Sequence, residues 1–190
     1  VTLATRVIAT LLVSRDRLLV KGRSFAADRV IGDPIQYARV MANTREIDEL
    51  MVLDVHATVD GREPPYDLIA QIAETCRVPL AYGGGVSSVD IAARVIGTGA
   101  DKVVVRYAAG HIPVIAARLG SQAVVVAVDA NGGHTDWHVI ARWRELWGAG
   151  EILLQSVERD GTMEGYDLDL IRAVSAAVFI PVIASGGCSS

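Results

Sequence analysis

Short β-branched apolar runs alternate with helix-periodic stretches along the 190-residue chain. The runs are RVIATLLV, ELMVLDV, VPLAY, DKVVV, AVVVAVDA, EILLQS and IPVIAS, each followed by glycine, polar or acidic residues. They are apolar at nearly every position, so both faces of each strand should be covered, as in parallel sheets. Between them, PIQYARVMAN, PYDLIAQIAETC, VDIAARVIGTG, DWHVIARWRELWGAG and DLDLIRAVSAAV carry apolar residues three and four apart, with Asp or Pro near their starts. These read as the covering amphipathic helices of an α/β fold.

The same pattern repeats. Glu49 matches Glu151, Pro79 matches Pro181, Gly84-Gly85 matches Gly186-Gly187 and Ser87-Ser88 matches Ser189-Ser190, all at an offset of 102 residues. Asp60-Gly61 meets Asp160-Gly161 at an offset of 100. A period of this length exceeds the 20 to 50 residues of solenoid repeats and suits half of a (β/α)8 TIM-type barrel. The expectation is therefore one barrel domain over residues 1–190, made of two half-barrel repeats. With seven strands counted, the expectation is that it is C-terminally truncated after the seventh strand, lacking its last β/α unit, or else that the barrel is open.

Composition narrows the partners. About half of the residues are apolar, enough for a sizeable core. A net charge of −4 with acids and bases interspersed argues against nucleic acid and anionic membrane surfaces. Val7 to Val13 is too short to span a bilayer, and a cytoplasmic small-molecule protein is expected. Cys76 and Cys188 lack metal-ligand spacing and read as free thiols. His134 and His138 stand four apart, but Thr135 or Asp136 reads as a helix N-cap, which leaves His134 outside the helix and argues against a metal site. Trp137, Trp143 and Trp147 read as helix-to-barrel packing, with an interface patch as the alternative. No metal or cofactor is expected.

In barrels of this kind the chemistry lies at the C-terminal ends of the strands. Those ends here carry Asp54, Gly83 to Gly85, Arg106-Tyr107, Asp129, Asp160-Gly161 and Gly186-Gly187. Two related glycine turns ahead of helices suggest a ligand with two phosphates, although a Gly-Gly pair also serves a plain strand-to-helix turn. Asp129 follows VVVAV directly and is a candidate general acid or base, or alternatively a cap. Asp54 ends its strand in the same way and either binds ligand or orients a neighbour.

Taken together, ATRVIATLLV, VKGRSF, GDPIQYA, DELMVLDV, PLAYGGGV, GADKVVV, GSQAVVVAVDA, GAGEILLQSVERDGTMEGYD and IPVIASGG resemble, in order, the cyclase subunit family of imidazole glycerol phosphate synthase. The resemblance implies a histidine-pathway lyase that forms a heterodimer with a glutaminase subunit. Ammonia would enter at the bottom of the barrel and react at the top with a substrate bearing two phosphates. It implies an ammonia gate of Arg6, Glu49, Lys102 and Glu151, residues that would otherwise read as solvated strand ends or ion pairs. It also implies a substrate- and phosphate-binding set of Lys21, Asp54, Gly84, Gly85, Arg106, Asp160, Gly161, Gly186 and Gly187.

The top face departs from the family pattern. Of the family's two catalytic aspartates, the fifth-strand one matches Asp129, whereas the first-strand one aligns with Leu12, which can neither take nor give a proton. Asp16 could substitute only if its loop folded back. Arg106-Tyr107 stands where the family has Asn-Thr on a phosphate, and ANGGHTDW is shorter than the family's loop after the fifth strand. The chain in these respects looks like the family's paralogues associated with surface polysaccharides, which pass ammonia to a sugar-amidating enzyme. Delivery of ammonia for amidation of a nucleotide-linked sugar is the expected role. Ring closure by the cyclase, or a non-catalytic scaffold for the glutaminase, are the alternatives.

Overall fold

The computed structural model describes residues 5–44, 46–106, 110–132 and 136–188, without the side chains of 26–28. The chain divides into two compact units, residues 1–21 with 29–104 and residues 22–28 with 105–190.

In the first unit the strands run in the order β3 (Ala26–Gly32), β2 (Leu19–Arg23), β1 (Ile8–Val13), β4 (Glu49–Asp54), β5 (Leu80–Gly83) and β6 (Lys102–Val105). Strands β2 and β3 lie astride the division, as does Val105 at the end of β6. β1, β4, β5 and β6 are parallel neighbours, and β2 pairs antiparallel with β1. Helices α1 (Pro34–Asn43), α2 (Tyr66–Thr75) and α3 (Val89–Gly97) form the crossovers. Helix α1 starts where Asp33 caps the Ile35 amide and proline occupies its first turn, and α3 starts where the Ser88 hydroxyl accepts from the Ile91 N–H. The helix α2 buries Leu68, Ile69 and Ile72, a stripe at spacings of one, three and four residues.

In the second unit β7 (Val124–Ala130), β8 (Glu151–Ser156) and β9 (Val182–Ser185) are parallel neighbours in that order. Helices α4 (Ile112–Leu119), α5 (Trp137–Leu146) and α6 (Leu168–Ala177) accompany them. β7 and β8 are the core, with Val124, Val125, Val126 and Ile152 fully buried.

The repeat holds element by element. β4, α2 and β5 recur 102 residues later as β8, α6 and β9, with the same first and last positions. Register repeats too: Leu50 pairs with Leu80 as Ile152 pairs with Val182. Leu50 donates its N–H to the Pro79 carbonyl and Ile152 to Pro181, both at 2.9 Å.

Three expectations are adjusted. β2 and β3 were not anticipated, because charges and Gly22 interrupt their alternation. Helix α4 was also missed: it has eight residues, with Pro113 in its first turn and three β-branched residues that dilute a helix signal. Trp143 is 54 % exposed on α5 and meets Trp147 at 6.4 Å between ring centroids, so it belongs to a surface patch and not to barrel packing. The N-cap position of α5 is Asp136, without a side-chain cap; His134 and Thr135 lie outside the described residues. Among the described residues no helix is long and apolar enough to cross a membrane, and no acidic, His and Cys cluster could hold a metal ion. Cys76 and Cys188 are free thiols, the Cys76 thiol pushed up by burial.

Candidate functional site

At the N-terminal ends of the first unit's strands, one buried carboxylate gathers two cations. Glu49 opens β4 and accepts from Arg6, which precedes β1, and from the Lys102 Nζ at the start of β6, at 3.2 and 2.9 Å on its two oxygens. Its side chain is 8 % exposed against 14 % for Lys102, so the group is largely withdrawn from water and its charges are weakly screened. Three of the four gate residues anticipated from sequence are thus brought together. The fourth, Glu151, opens β8 in the second unit, is likewise buried, and neighbours Val125 in register as Glu49 neighbours Ile8.

Register then orders what lies above this cluster, because partners in a parallel pair share a face and the face recurs every second residue. In the first unit the layer above Glu49 is Thr10, Met51, Ala81 and Lys102. The next is Leu12, Leu53, Gly83 and Val104. A Cβ on Gly83 would stand 2.9 Å from a Leu53 methyl and 2.8 Å from the Val104 Cβ, which confirms that they share one face. In the second unit the corresponding layers are Ala127, Leu153 and Ile183, then Asp129, Gln155 and Ser185. Leu12 pairs with Leu53, and Asp129 pairs with Gln155, 102 residues beyond Leu53. Leu12 is therefore the repeat counterpart of Asp129. The upper layer is apolar in one unit and polar in the other.

At the C-terminal ends of the first unit, Asp54 is buried and fully employed. One oxygen accepts from the His56 and Ala57 amides at 3.0 and 2.8 Å, and Arg62 reaches both oxygens at 3.3 and 3.4 Å. Arg62 also bonds Asp60 at 3.1 Å, and Arg15 clasps Asp60 with two bonds of 2.8 and 2.6 Å. The Arg15 hydrogen bonds hold the Asp60 carboxyl well below the usual carboxylate range, with Arg62 adding to the effect. Of Asp54's two sequence readings, this geometry is that of a residue orienting its neighbours. Sequence reasoning missed Arg15 and Asp60 as their hub, since nothing local signals partners 45 residues apart, and missed Arg62, two residues from Asp60, since a lone arginine in a loop forms no motif. Asp16 is exposed at the turn between β1 and β2, and Lys21 is exposed on β2.

The glycine turns are demanded by close packing. Gly84 and Gly186 have φ of 117° and 93°, and a Cβ there would lie 2.5 and 2.4 Å from the carbonyl oxygens of Asp54 and Ser156. Gly85 and Gly187 would each bring a Cβ within 2.3 Å of a backbone oxygen. The Gly85 amide is already given to the Thr58 hydroxyl at 3.1 Å. Gly84→Ala or Gly186→Ala is expected to cost at least about 2 kcal/mol in urea unfolding. Gly97→Ala, at the end of α3 with open space around it, should be neutral or slightly stabilising.

In the second unit Asp129 forms an ion pair with Arg106, its side chain 11 % exposed and that of Arg106 45 %. Burial raises the Asp129 carboxyl above its ordinary value, and Arg106 offsets part of that rise. The Arg106 guanidinium lies 5.8 Å from the centre of the Phe25 ring. Phe25 sits in the turn between β2 and β3, where the Asp160 carbonyl accepts from the Ser24 N–H and the Asp160 carboxylate from the Phe25 N–H, at 3.1 and 3.4 Å. Gly161 lets that turn approach, since its Cβ would meet the Gly22 carbonyl at 2.9 Å. Asp160 and Gly161 therefore hold the hairpin tip. Tyr107 lies outside the described residues.

Parallel strands within each unit, a repeated strand–helix–strand–GG segment and charged strand starts point to one family, and comparison with known proteins agrees. The model of a family described as histidine biosynthesis protein matches residues 6–190. The chain belongs to that family. Among the chain's relatives, one from Hyphomonas neptunium, named imidazole glycerol phosphate synthase subunit HisF, is 42% identical over 207 residues. The match covers 99% of this chain and 81% of the relative. Another, from Leptospira borgpetersenii and provisionally named as the same subunit, is 38% identical over 211 residues, covering 99% and 82%. The fold class is accordingly the α/β class of (β/α)8 TIM-type barrels built from two half-barrel repeats.

Proposed function

We propose that this member of the cyclase family conducts ammonia and does not itself close a ring. It would pair with a glutaminase, with Arg6, Glu49, Lys102 and Glu151 as the gate through which ammonia enters, and serve amidation of a nucleotide-linked sugar. The observation that supports this reading is the layer of Leu12, Leu53, Gly83 and Val104 above the ionic cluster of Arg6, Glu49 and Lys102. At the position that is the repeat counterpart of Asp129, a carboxylate is replaced by the isobutyl group of Leu12. General acid–base catalysis contributes roughly 10² to 10⁴ in rate, so a two-carboxylate reaction loses most of its advantage when one is removed. An apolar layer suits the passage of neutral ammonia, because it offers no carboxylic acid to protonate ammonia and no carboxylate to hold ammonium.

On this reading Lys21 and the glycine turns are left for holding a phosphorylated ligand. Purified chain, given ammonia and the phosphoribosyl-formimino substrate, is expected to form no imidazole glycerol phosphate above the uncatalysed rate. Formation that Asp129→Asn abolishes would overturn the proposal in favour of the cyclase, the reading that the names of the 38% and 42% identical relatives support.

The gate has its own test in the complex with a glutaminase. Arg6→Ala and Lys102→Met are expected to lower glutamine-dependent product formation at least about tenfold, while product made from added ammonium salt changes little, since ammonia need then not come from the partner. Equal loss with both nitrogen sources would mean that these cations serve only the fold.

A further inference from the structure

We propose that Arg106 sets what Asp129 can do: as an internal counter-ion it holds the carboxylate ionised and engaged, so that it is withdrawn from proton transfer. The inference deepens the reading above and rests on it, since Leu12 removes one carboxylate of the expected pair and Arg106 silences the other.

The geometry is specific. Asp129 shares its layer with Gln155 on β8 and Ser185 on β9, both neutral, and among the described residues its ion-pair partner is Arg106, beyond the end of β6. The acids of the next loop have other tasks: Glu158 accepts from the Gly132 N–H at 3.0 Å, and Asp160 from the Phe25 N–H. Arg106 is itself held from a second side by the Phe25 ring, within the range of a cation–π contact. Phe25 does not reach that place freely. Ser24 and Phe25 have φ of 50° and 60°, a mirror-image hairpin turn that ordinarily takes Asn-Gly, and the two Asp160 hydrogen bonds sustain it. The hairpin tip, the guanidinium and the carboxylate form one built stack inside the second unit.

A carboxylate acting as acid or base must exchange its proton near the working pH. Burial pushes Asp129 up toward that range, and the paired arginine offsets part of the rise. Arg106 is thus a positioning and charge-setting residue, acting through Asp129.

The test is a carboxyl carbon NMR titration of the chain labelled with [¹³C]aspartate, the Asp129 signal assigned by its loss in Asp129→Asn. Arg106→Asn is expected to raise the Asp129 midpoint by about 1 to 3 pH units, and Arg106→Lys, which keeps a cation without the planar fork, by less. Circular dichroism verifies the fold of each variant, with Arg106→Gln as the alternative neutral replacement. The same midpoint in wild type and in the neutral variants would overturn the proposal. The measurement needs neither glutaminase nor acceptor, so its failure leaves the ammonia reading standing. Cyclisation by the wild-type chain would remove that reading without moving the NMR midpoint.

Discussion

Glu49→Ala is expected to be among the most damaging single substitutions in the first unit, lowering stability by about 3 kcal/mol. Glu49 is buried and takes hydrogen bonds from both Arg6 and Lys102. Removing it leaves the two cations close together, with the Lys102 side chain 14 % exposed and no longer compensated by that carboxylate. Removing one member of a buried ion cluster costs more than the net worth of the intact pair, because the intact pair has already offset its desolvation. For a chain of this length the change should appear as a fall of roughly 6 to 12 °C in Tm. Glu49→Gln should lose nearly as much, since its amide keeps the volume but not the charge. A double replacement, Glu49→Met with Lys102→Met, should recover much of the loss, because apolar groups of similar size replace a pair whose net worth is small. If Glu49→Ala left the transition within 2 °C of wild type, a margin set by about 1 kcal/mol, the cluster would be a solvated strand end. The two compact units need not melt together, so the transition should be followed both by far-ultraviolet circular dichroism and by the fluorescence of Trp143 and Trp147, which report on the second unit. The loss is expected in the phase that the tryptophans do not report, or in both phases if the units are coupled.

The order of strands and helices was legible because it follows from local patterning. Apolar runs bounded by glycine and acids need no tertiary information, and the 102-residue repeat is visible wherever both copies keep Glu, Pro and Gly-Gly. The hairpin β2–β3 was not legible, since its residues LVKGR and AADRVIG mix charge with apolar positions and depend on β1 for pairing. The site divides in the same way. Glu49, Lys102 and Asp129 could be placed because each sits at one end of a recognisable strand. Asp54, Asp160 and Gly161 could be placed at strand ends too, but their work was not visible. Arg62 engages Asp54, and the Asp160–Gly161 pair receives a hairpin tip from more than 130 residues away in sequence. Partners so distant in sequence are set by packing, and no spacing rule encodes them. Leu12 stood out only against a family pattern until the register with Leu53 showed it to be the counterpart of Asp129.

The largest functional effect is expected from a double variant. Leu12→Asp restores a carboxylate at the counterpart position, and Arg106→Asn frees the one at Asp129. If ring closure needs both carboxylates, as a two-carboxylate acid–base reaction does, the effects of the two substitutions should be strongly non-additive. Leu12→Asp alone supplies a second carboxylate while Asp129 remains bound to its arginine. Arg106→Asn alone frees Asp129 but leaves it without a partner. Each single variant should therefore remain near the wild-type background in the ammonia-dependent cyclisation assay, and the double variant should exceed that background by at least about 10², the lower end of what general acid–base catalysis contributes. The stability cost is tolerable: Leu12 is only half-buried, so a carboxylate there costs about 1 to 3 kcal/mol. Asp129→Asn added to the double variant should return the rate to background, which separates catalysis by the pair from a general effect of added charge. A fully folded double variant that still fails to cyclise would show that these two side chains are not what separates this chain from a ring-closing enzyme. The difference would then lie in the shortened segment after β7, where ANGGHTDW supplies the connection to α5.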